Sequence, residues 1–250
     1  MKNLNNKNSL YFTFISLLYF TILLCFSSLL IGSEHSNQPT NYEKKLSTKN
    51  GYIIATSNNM PPFSFIGKSG KIEGIIIDYW KLWAEKNRVK ISFLVDDWQH
   101  TLELVKNSKV HFHAGMYYSE NRSENLDFSD GIMDITTSLF IFEKLNLNTI
   151  EELKDIPVGI NKGYFAEEYF QKNYPYIKIK LYSNNEAVIK GAISGDIVAF
   201  STNYPVALYY LSKYEALGRY RVMQNLITEK LRAGVKKGNK ALLKIINDGM

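Results

Sequence analysis

From residue 51 onward, short runs of β-branched residues alternate with stretches whose apolar residues recur at helical spacing. Such alternation is typical of βαβ units on a mostly parallel sheet. The first block predicts strands at 52–56, 91–95 and 110–116 and helices at 75–87 and 99–107. This pattern restricts the chain to an α/β fold.

A second block of the same kind follows, with clear helix start signals. Thr149 with Glu152, and Ser183 with Glu186, have the spacing of capping boxes, and Pro205 suits the first turn of a helix. This block predicts strands at 156–160, 177–182 and 197–201 and helices at 163–170, 187–193 and 206–211.

Two segments, 138–143 and 227–235, would cross between the blocks, and a helix at 240–246 would dock back on the first. The sequence therefore predicts two lobes joined by a two-strand hinge. The first lobe takes residues 51–140 and 228–250, and the second takes 141–227.

The N-terminus carries an export signal. Lys2 and Lys7 precede the run 9–31, which holds no charged residue and is long enough to span a membrane as a hydrophobic helix. Residues 1–33 are therefore a signal peptide or a membrane anchor, and the length favours the anchor, with the following domain outside the cytoplasm. Residues 34–50 are polar and predict a flexible tether. Lipidation at Cys25 is disfavoured because Leu24 stands where a small residue is expected.

Charge excludes one class of partner. The chain has 30 Lys and Arg against 24 Asp and Glu, a net charge of +6, but these residues are scattered along the sequence. A nucleic-acid-binding protein would concentrate its basic residues in a patch or stripe. We therefore expect no nucleic-acid partner.

Three motifs carry a family resemblance. These are Met-Pro-Pro-Phe-Ser-Phe at 60–65, His-Ala-Gly-Met-Tyr-Tyr-Ser-Glu-Asn-Arg at 113–122, and Leu-Asp-Phe-Ser at 126–129. They resemble the family 3 extracytoplasmic solute-binding proteins, and most closely the versions that serve as sensor domains. The resemblance covers residues 51–247 and implies the two-lobed periplasmic-binding-protein type II fold, with a solute held between the lobes.

The resemblance also implies a set of ligand-binding residues. Arg122 would clamp a carboxylate, because a guanidinium fork pairs two oxygens at once. Beside it the first lobe would supply Gly115, Tyr117, Phe63 and Trp98. For each ring, packing in the core is the alternative interpretation, and for Arg122 it is a solvated loop position. Phe65 and Tyr118 are expected in the core.

From the second lobe the resemblance implies Gly163 and Tyr164 as ligand-binding residues. Gly163 either opens a helix whose free amides could receive an anion, or forms a plain turn. Two departures change the expected ligand. Tyr164-Phe165 replaces the usual hydroxyl residue, and neutral Thr202 or Asn203 stands where amino-acid-binding members place an aspartate. A buried ammonium without a counter-charge is costly. We therefore expect a small, carboxylate-containing or otherwise anionic solute without the amine.

The expected function is extracytoplasmic binding of that solute for transport or sensing, with an ABC permease or a signalling receptor as partner. A truncated or partner-binding sensor domain is the alternative. A lyase or hydrolase on this fold is disfavoured, since Asp96-Asp97 reads as a solvated loop. No cofactor is expected, and His111 with His113 lacks a third metal ligand.

Overall fold

The structure is a computed structural model that describes residues 51–250. The predictions for residues 1–33, for the hydrophobic helix at 9–31 and for the tether at 34–50 lie outside the described residues. Among the helices of residues 51–250, none combines the length and the apolar character that a membrane crossing requires.

One mixed sheet of eight strands runs through the domain in the order β5-β1-β6-β11-β7-β10-β8-β9. A small sheet, β2-β3-β4, lies beside it. The strands are β1 Tyr52–Ser57, β2 Asn59–Met60, β3 Ser64–Ile66, β4 Ile72–Glu73, β5 Ile91–Asp96, β6 Phe112–Met116, β7 Leu126–Phe142, β8 Val158–Asn161, β9 Ile179–Tyr182, β10 Ala199–Asn203 and β11 Tyr220–Lys236.

Helices alternate with most of these strands along the chain. They are α1 Ile75–Lys86, α2 Trp98–Lys106, α3 Glu120–Ser123, α4 Phe165–Asn173, α5 Asn185–Ile193, α6 Tyr204–Lys213 and α7 Lys240–Gly249, with a 3-10 helix at Ile150–Leu153. We call β1 to β6 with α1, α2, α3 and α7 the first lobe, and β8 to β10 with α4, α5 and α6 the second lobe. The predicted α/β class is confirmed.

Strands β7 and β11 join the two lobes. Each is 17 residues long, and they pair antiparallel from Tyr220 opposite Phe142 to Lys236 opposite Leu126. At one end β11 borders β6 of the first lobe, and at the other β7 borders β10 of the second. The two-strand hinge is therefore confirmed, although the predicted segments 138–143 and 227–235 cover only the C-terminal part of each strand. The lobe limits at 140/141 and 227/228 remain predictions.

The C-terminal helix docks on the first lobe as predicted. The Trp83 indole donates to the Ile246 carbonyl at 3.3 Å, and the Asn87 amide donates to the Gly249 carbonyl at 3.2 Å. Trp80, which is fully buried and lies on α1 like Trp83 and near Asn87, donates its indole N–H to the Ala114 carbonyl at 2.7 Å. Helix α1 thus anchors both the chain end and the strand that leads into the cleft.

Helix start signals were mostly read correctly. Thr149 and Glu152 form the predicted capping box. The box predicted at Ser183 was wrong, because Asn184 caps α5 instead and accepts from the Ala187 amide at 2.8 Å. Asparagine caps helices about as well as serine, so two adjacent cap residues left the start ambiguous by one position.

Candidate functional site

The cleft lies where two sets of parallel strands end. Strands β5, β1 and β6 run parallel in the first lobe, and β8, β9 and β10 run parallel in the second. The carboxyl ends of such strands are where open α/β sheets bind ligands. The residues at the ends of β6 and β10, and the helix starts that follow, therefore form the candidate site.

A small cavity remains between the lobes. It offers water-sized molecules about 20 Å³, roughly the room for one water. Its walls are mainly apolar, and its lining residues are Met60, Trp98, Gly115, Met116, Tyr117, Arg122, Thr137, Tyr164, Phe165, Ala166, Asn203 and Leu231. The cleft is thus nearly filled by the chain itself.

Three of the predicted site residues do not line this cavity. Phe63 packs in the hydrophobic core with 5% exposure. The Thr202 hydroxyl donates to the Asn185 side chain at 2.9 Å, so its hydrogen is already used. Gly163 contributes only its carbonyl at the edge of the site, as described below. The structure brings together the remaining predicted residues, namely Trp98, Gly115, Tyr117, Arg122, Tyr164 and Asn203.

Arg122 is a buried cation in the cleft wall. It lies on α3, whose start is capped by Ser119, and is 6% exposed. Its Nη1 donates to the Tyr117 carbonyl at 2.9 Å and its Nη2 to the Gly163 carbonyl at 3.2 Å. Glu168 is its nearest carboxylate, 3.9 Å from Nε and 30% exposed. Burial lowers the pKa of Arg122 and the Glu168 charge opposes that shift, but a guanidinium stays protonated.

The amide of Gly163 is already hydrogen-bonded, which agrees with the plain turn and not with an anion-receiving helix start. It donates to the Glu167 carboxylate at 2.7 Å, so an incoming anion would have to displace an acid of the same helix. Gly163 has a φ of +73°, a conformation that favours glycine. The turn therefore serves to aim the Gly163 carbonyl at the first lobe.

Aromatic rings meet across the cleft. Trp98 and Tyr164 are 5.2 Å apart edge to face, and Tyr117 and Phe165 are 5.5 Å apart in the same arrangement. The Arg122 guanidinium lies 5.1 Å from the Trp98 ring centre, within cation–π range. These rings take up the space that a larger solute would need.

The two rings expected in the core are placed differently. Phe65 is half-buried and contacts Tyr209 of the second lobe, with ring centres 5.6 Å apart. Tyr118 is 46% exposed and stacks edge to face on Phe128, so placing it in the core was wrong. It lies two residues beyond the end of β6, where strand alternation no longer predicts which way a side chain points.

The second-lobe wall is neutral at the position of Asn203. Its amide donates to the Tyr117 hydroxyl at 2.7 Å and to the Thr137 hydroxyl at 3.1 Å. The Tyr117 hydroxyl in turn donates a hydrogen bond to the Ile135 carbonyl at 2.9 Å. Burial raises the pKa of Tyr117, and burial raises that of Tyr164 to about 12, so both phenols stay neutral.

Several lining residues escaped sequence reasoning. Thr137 and Leu231 belong to the long hinge strands, whose extent the sequence did not reveal. Met60 lies in the small sheet beside the first strand. Asn185, fully buried, lies behind the cavity and donates to the Tyr164 hydroxyl at 2.9 Å. The capping pattern at 183–186 marked this helix start but not its contact with the cleft.

His113 and Asp97, two titratable residues near the cleft, are both hydrogen-bonded within the first lobe. His113 is buried beside the site, accepts from the Gly115 amide at 3.1 Å and contacts the Thr101 hydroxyl at 3.2 Å. Burial, with the positive charge of Arg122, lowers the pKa of His113 to about 3. Asp97 caps α2 by accepting from the His100 amide at 2.9 Å. Within residues 51–250, no three acidic, histidine or cysteine side chains are grouped to hold a metal.

Comparison with known proteins settles the family. A model of the bacterial extracellular solute-binding proteins, family 3, matches residues 52–250. The chain belongs to this family. Family 3 solute-binding proteins work outside the cytoplasm and bind small solutes, so an extracytoplasmic solute-binding domain follows for residues 52–250.

Individual relatives of this family 3 solute-binding protein are distant. A probable histidine-binding protein of Neisseria gonorrhoeae is 23% identical over 204 residues, which cover 80% of this chain and 76% of the relative. The ABC transporter arginine-binding protein 1 of Escherichia coli K12 is 23% identical over 79% of this chain and 82% of its own length. A solved histidine kinase sensor domain with similarity to periplasmic binding proteins superposes with a TM-score of 0.75. At 17% identity, over 81% of this chain and 89% of the other, it shows the fold alone.

Proposed function

We propose that this protein captures a small solute bearing a carboxylate, holds it through Arg122 between the lobes, and does not require an ammonium group on the solute. The observation that carries the proposal is a buried guanidinium at the cleft with an incomplete counter-charge. A buried cation is costly unless an anion pairs with it. Glu168, at 3.9 Å and partly exposed, compensates Arg122 only in part.

The carbonyls that now bind Arg122 are weaker partners than a carboxylate. Nη1 and Nη2 point to the Tyr117 and Gly163 carbonyls, one from each lobe. A carboxylate can accept two parallel hydrogen bonds from a guanidinium, and such charge-assisted bonds are about twice as strong as neutral ones. A solute carboxylate that reaches Arg122 would therefore replace at least the Gly163 contact with a stronger one.

An ammonium group has no comparable partner. None of the residues that line the cavity is acidic. Asn203, whose amide nitrogen donates to Tyr117 and Thr137, could offer an ammonium only a neutral carbonyl oxygen and no negative charge. The relatives are named for histidine and arginine, which carry an α-ammonium, so this chain would differ from them in the second-lobe wall. The solute would also be small, or Tyr164 and Phe165 would have to move aside.

We further propose that the protein binds without catalysis. A general acid or base must be within reach of the substrate with a suitable pKa. His113 is held neutral by burial, and Asp97 is committed to its helix cap. The proposed partner is an ABC permease that receives the solute, because one of the relatives is named as the binding protein of an ABC transporter.

A thermal-shift panel tests the proposal. Small aliphatic and aromatic carboxylic acids are screened against the wild type, Arg122→Met and Arg232→Met. Arg232 is half-buried and bonded to the Ser129 carbonyl at 2.8 Å, outside the cavity, so it controls for loss of a guanidinium. We expect at least one acid to raise the Tm of the wild type and of Arg232→Met but not of Arg122→Met. An acid that stabilises all three proteins equally would refute the role of Arg122.

A further inference from the structure

One edge of the first lobe gathers positive charge that is scattered along the sequence. Tyr52 pairs with Ile91 where β1 and β5 begin. Phe112, where β6 begins, pairs with Ile54 of β1 and with Val235 near the end of β11. Neighbouring strands lie about 4.8 Å apart, so the loops at these four strand ends lie side by side. We call this edge the basic edge, and its exposed cations are Arg88, Lys90, Lys109, Lys236, Lys237 and Lys240.

Few acids oppose the cations of the basic edge. The loops 87–90, 107–110 and 236–240 carry all six of them and contain no Asp or Glu. Asp127, with a side chain 8% exposed, lies 3.5 Å from the Lys237 ammonium and 3.0 Å from that of Lys240. One buried carboxylate thus serves two lysines, and Glu124 is the exposed acid three residues before it. Positive charge is therefore in excess at this edge.

The corresponding edge of the second lobe is balanced in charge. Its strands β8, β9 and β10 follow the loops 154–157, 174–178 and 194–198, which hold two lysines and two aspartates. Lys178 and Asp155 of these loops form a salt bridge at 3.7 Å. The excess of positive charge is thus a property of the first lobe and not of every strand edge in the protein.

The chain enters the first lobe at the basic edge. The Tyr52 amide donates to the Lys90 carbonyl at 2.8 Å, and Gly51 lies against the same residue. In the sequence, 19 residues separate the uncharged run 9–31 from Gly51. That many residues reach at most about 65 Å even when fully extended. A membrane that holds this run therefore lies close to the first lobe, and the chain draws the basic edge towards it.

We propose that the basic edge docks on a membrane surface that carries acidic phospholipids. Each lysine or arginine near such a surface strengthens binding about fivefold, because the anionic headgroups create a negative surface potential. The cleft lies at the opposite ends of β5, β1 and β6, so docking by this edge leaves the cleft facing away from the membrane. The proposal concerns a surface outside the cleft and stands whether or not the solute is a carboxylate.

Quenching of a fluorescent label tests docking in the full chain. The chain carries Cys25→Ser and one labelled cysteine, either at exposed Asn125, whose carbonyl accepts from the Lys237 amide at the basic edge, or at exposed Ser194 on the second-lobe edge. Vesicles with a headgroup quencher consist of phosphatidylcholine, with or without about one third phosphatidylglycerol. We expect phosphatidylglycerol to raise quenching of the Asn125 label at least about twofold and that of the Ser194 label less, and about 1 M salt to remove the increase.

Two outcomes of the quenching experiment would overturn the proposal. One is equal quenching of the Asn125 label in the two kinds of vesicle. The other is capture of a short DNA duplex without a response to phosphatidylglycerol, which would assign the basic edge to a nucleic acid instead.

Charge variants separate the basic edge from the net charge of the protein. Arg88→Gln, Lys90→Gln and Lys236→Gln together remove three cations of the edge. We expect the ratio of docked to undocked protein to fall about a hundredfold in this triple variant. A matched control of equal net charge changes three exposed lysines on the side of the second lobe, Lys154→Gln, Lys178→Gln and Lys190→Gln. The control should keep the response to phosphatidylglycerol, and circular dichroism shows that each variant is folded. Equal losses in both would mean that net charge alone attracts the membrane and would refute the proposal.

Discussion

The wall of the cleft formed by the first lobe is cationic, whereas the wall formed by the second lobe is neutral. The first-lobe wall presents Arg122 on a short helix that Ser119 caps, just beyond the end of β6. The second-lobe wall presents two aromatic rings and neutral Asn203. One wall therefore offers a cation and the other offers only neutral side chains. The proposed preference for an acid without an ammonium group depends on this difference.

Removing the Tyr164 ring should give the largest effect on stability. Tyr164 is 8% exposed and contacts Trp98 across the cleft. We expect Tyr164→Ala to lower the free energy of unfolding by about 3 kcal/mol, as truncation of a buried ring does. Chemical denaturation measures it. Tyr118→Ala, at a ring 46% exposed, should cost less than about 1 kcal/mol. Equal losses would mean that the second wall is not the packing element we describe.

Changing the charge-bearing group of the first wall should affect binding strongly. Arg122→Lys keeps the charge but loses the two-pronged geometry. We expect affinity for a carboxylate solute to fall about thirtyfold, roughly 2 kcal/mol, when measured by calorimetric titration. Arg122→Met should fall further. If Arg122→Lys bound the solute as tightly as the wild type, the positive charge alone and not the paired donors of the guanidinium would account for binding.

Placing a carboxylate in the second wall should shift the solute preference towards amino acids. Asn203→Asp places an acid beside the Tyr117 and Thr137 hydroxyls, which now accept from the Asn203 amide and would have to turn a hydrogen towards the new carboxylate. We expect α-amino acids to gain about tenfold in affinity relative to the matching acids without the amine. Competition titration with alanine and propionate measures the ratio. Asn225→Asp, at an exposed hinge position, serves as the charge control. An unchanged ratio would show that Asn203 does not set the preference.

Acid should weaken the first lobe through His113. Its pKa is lowered by burial to about 3, below its ordinary value of 6.5, so the unfolded chain binds the proton more readily. The stability from neutral His113 is therefore present above pH 6.5 and is lost as the pH falls towards 3. Between these two pH values the free energy of unfolding falls by up to about 1.4 kcal/mol for each pH unit. Denaturation at pH 7.5, 6.0 and 4.5 should show this extra loss in the wild type and not in His113→Gln.

Sequence patterns predicted the fold well and the site unevenly. Alternating strand and helix signals depend on neighbours in the chain, so most elements were located within a few residues. Arg122 was found because it lies within a compact motif. The full length of β7 was missed because Asp130, Gly131 and Asp134 resemble a turn, yet Gly131 and Asp134 pair with residues of β11 about 100 positions further along the chain. The bond between Asn59 and Asn185 likewise joins residues 126 positions apart, and no local pattern marks it.

The most direct test of the contrast between the walls is a pair of calorimetric titrations on the wild type. One titrates 3-phenylpropionate or propionate, and the other titrates phenylalanine or alanine, each pair differing only in the ammonium group. We predict that within a pair the acid binds at least about tenfold more tightly, because Arg122 pairs with the carboxylate and no acid faces the amine. Tighter binding of the amino acid in either pair would contradict the assignment of the second wall.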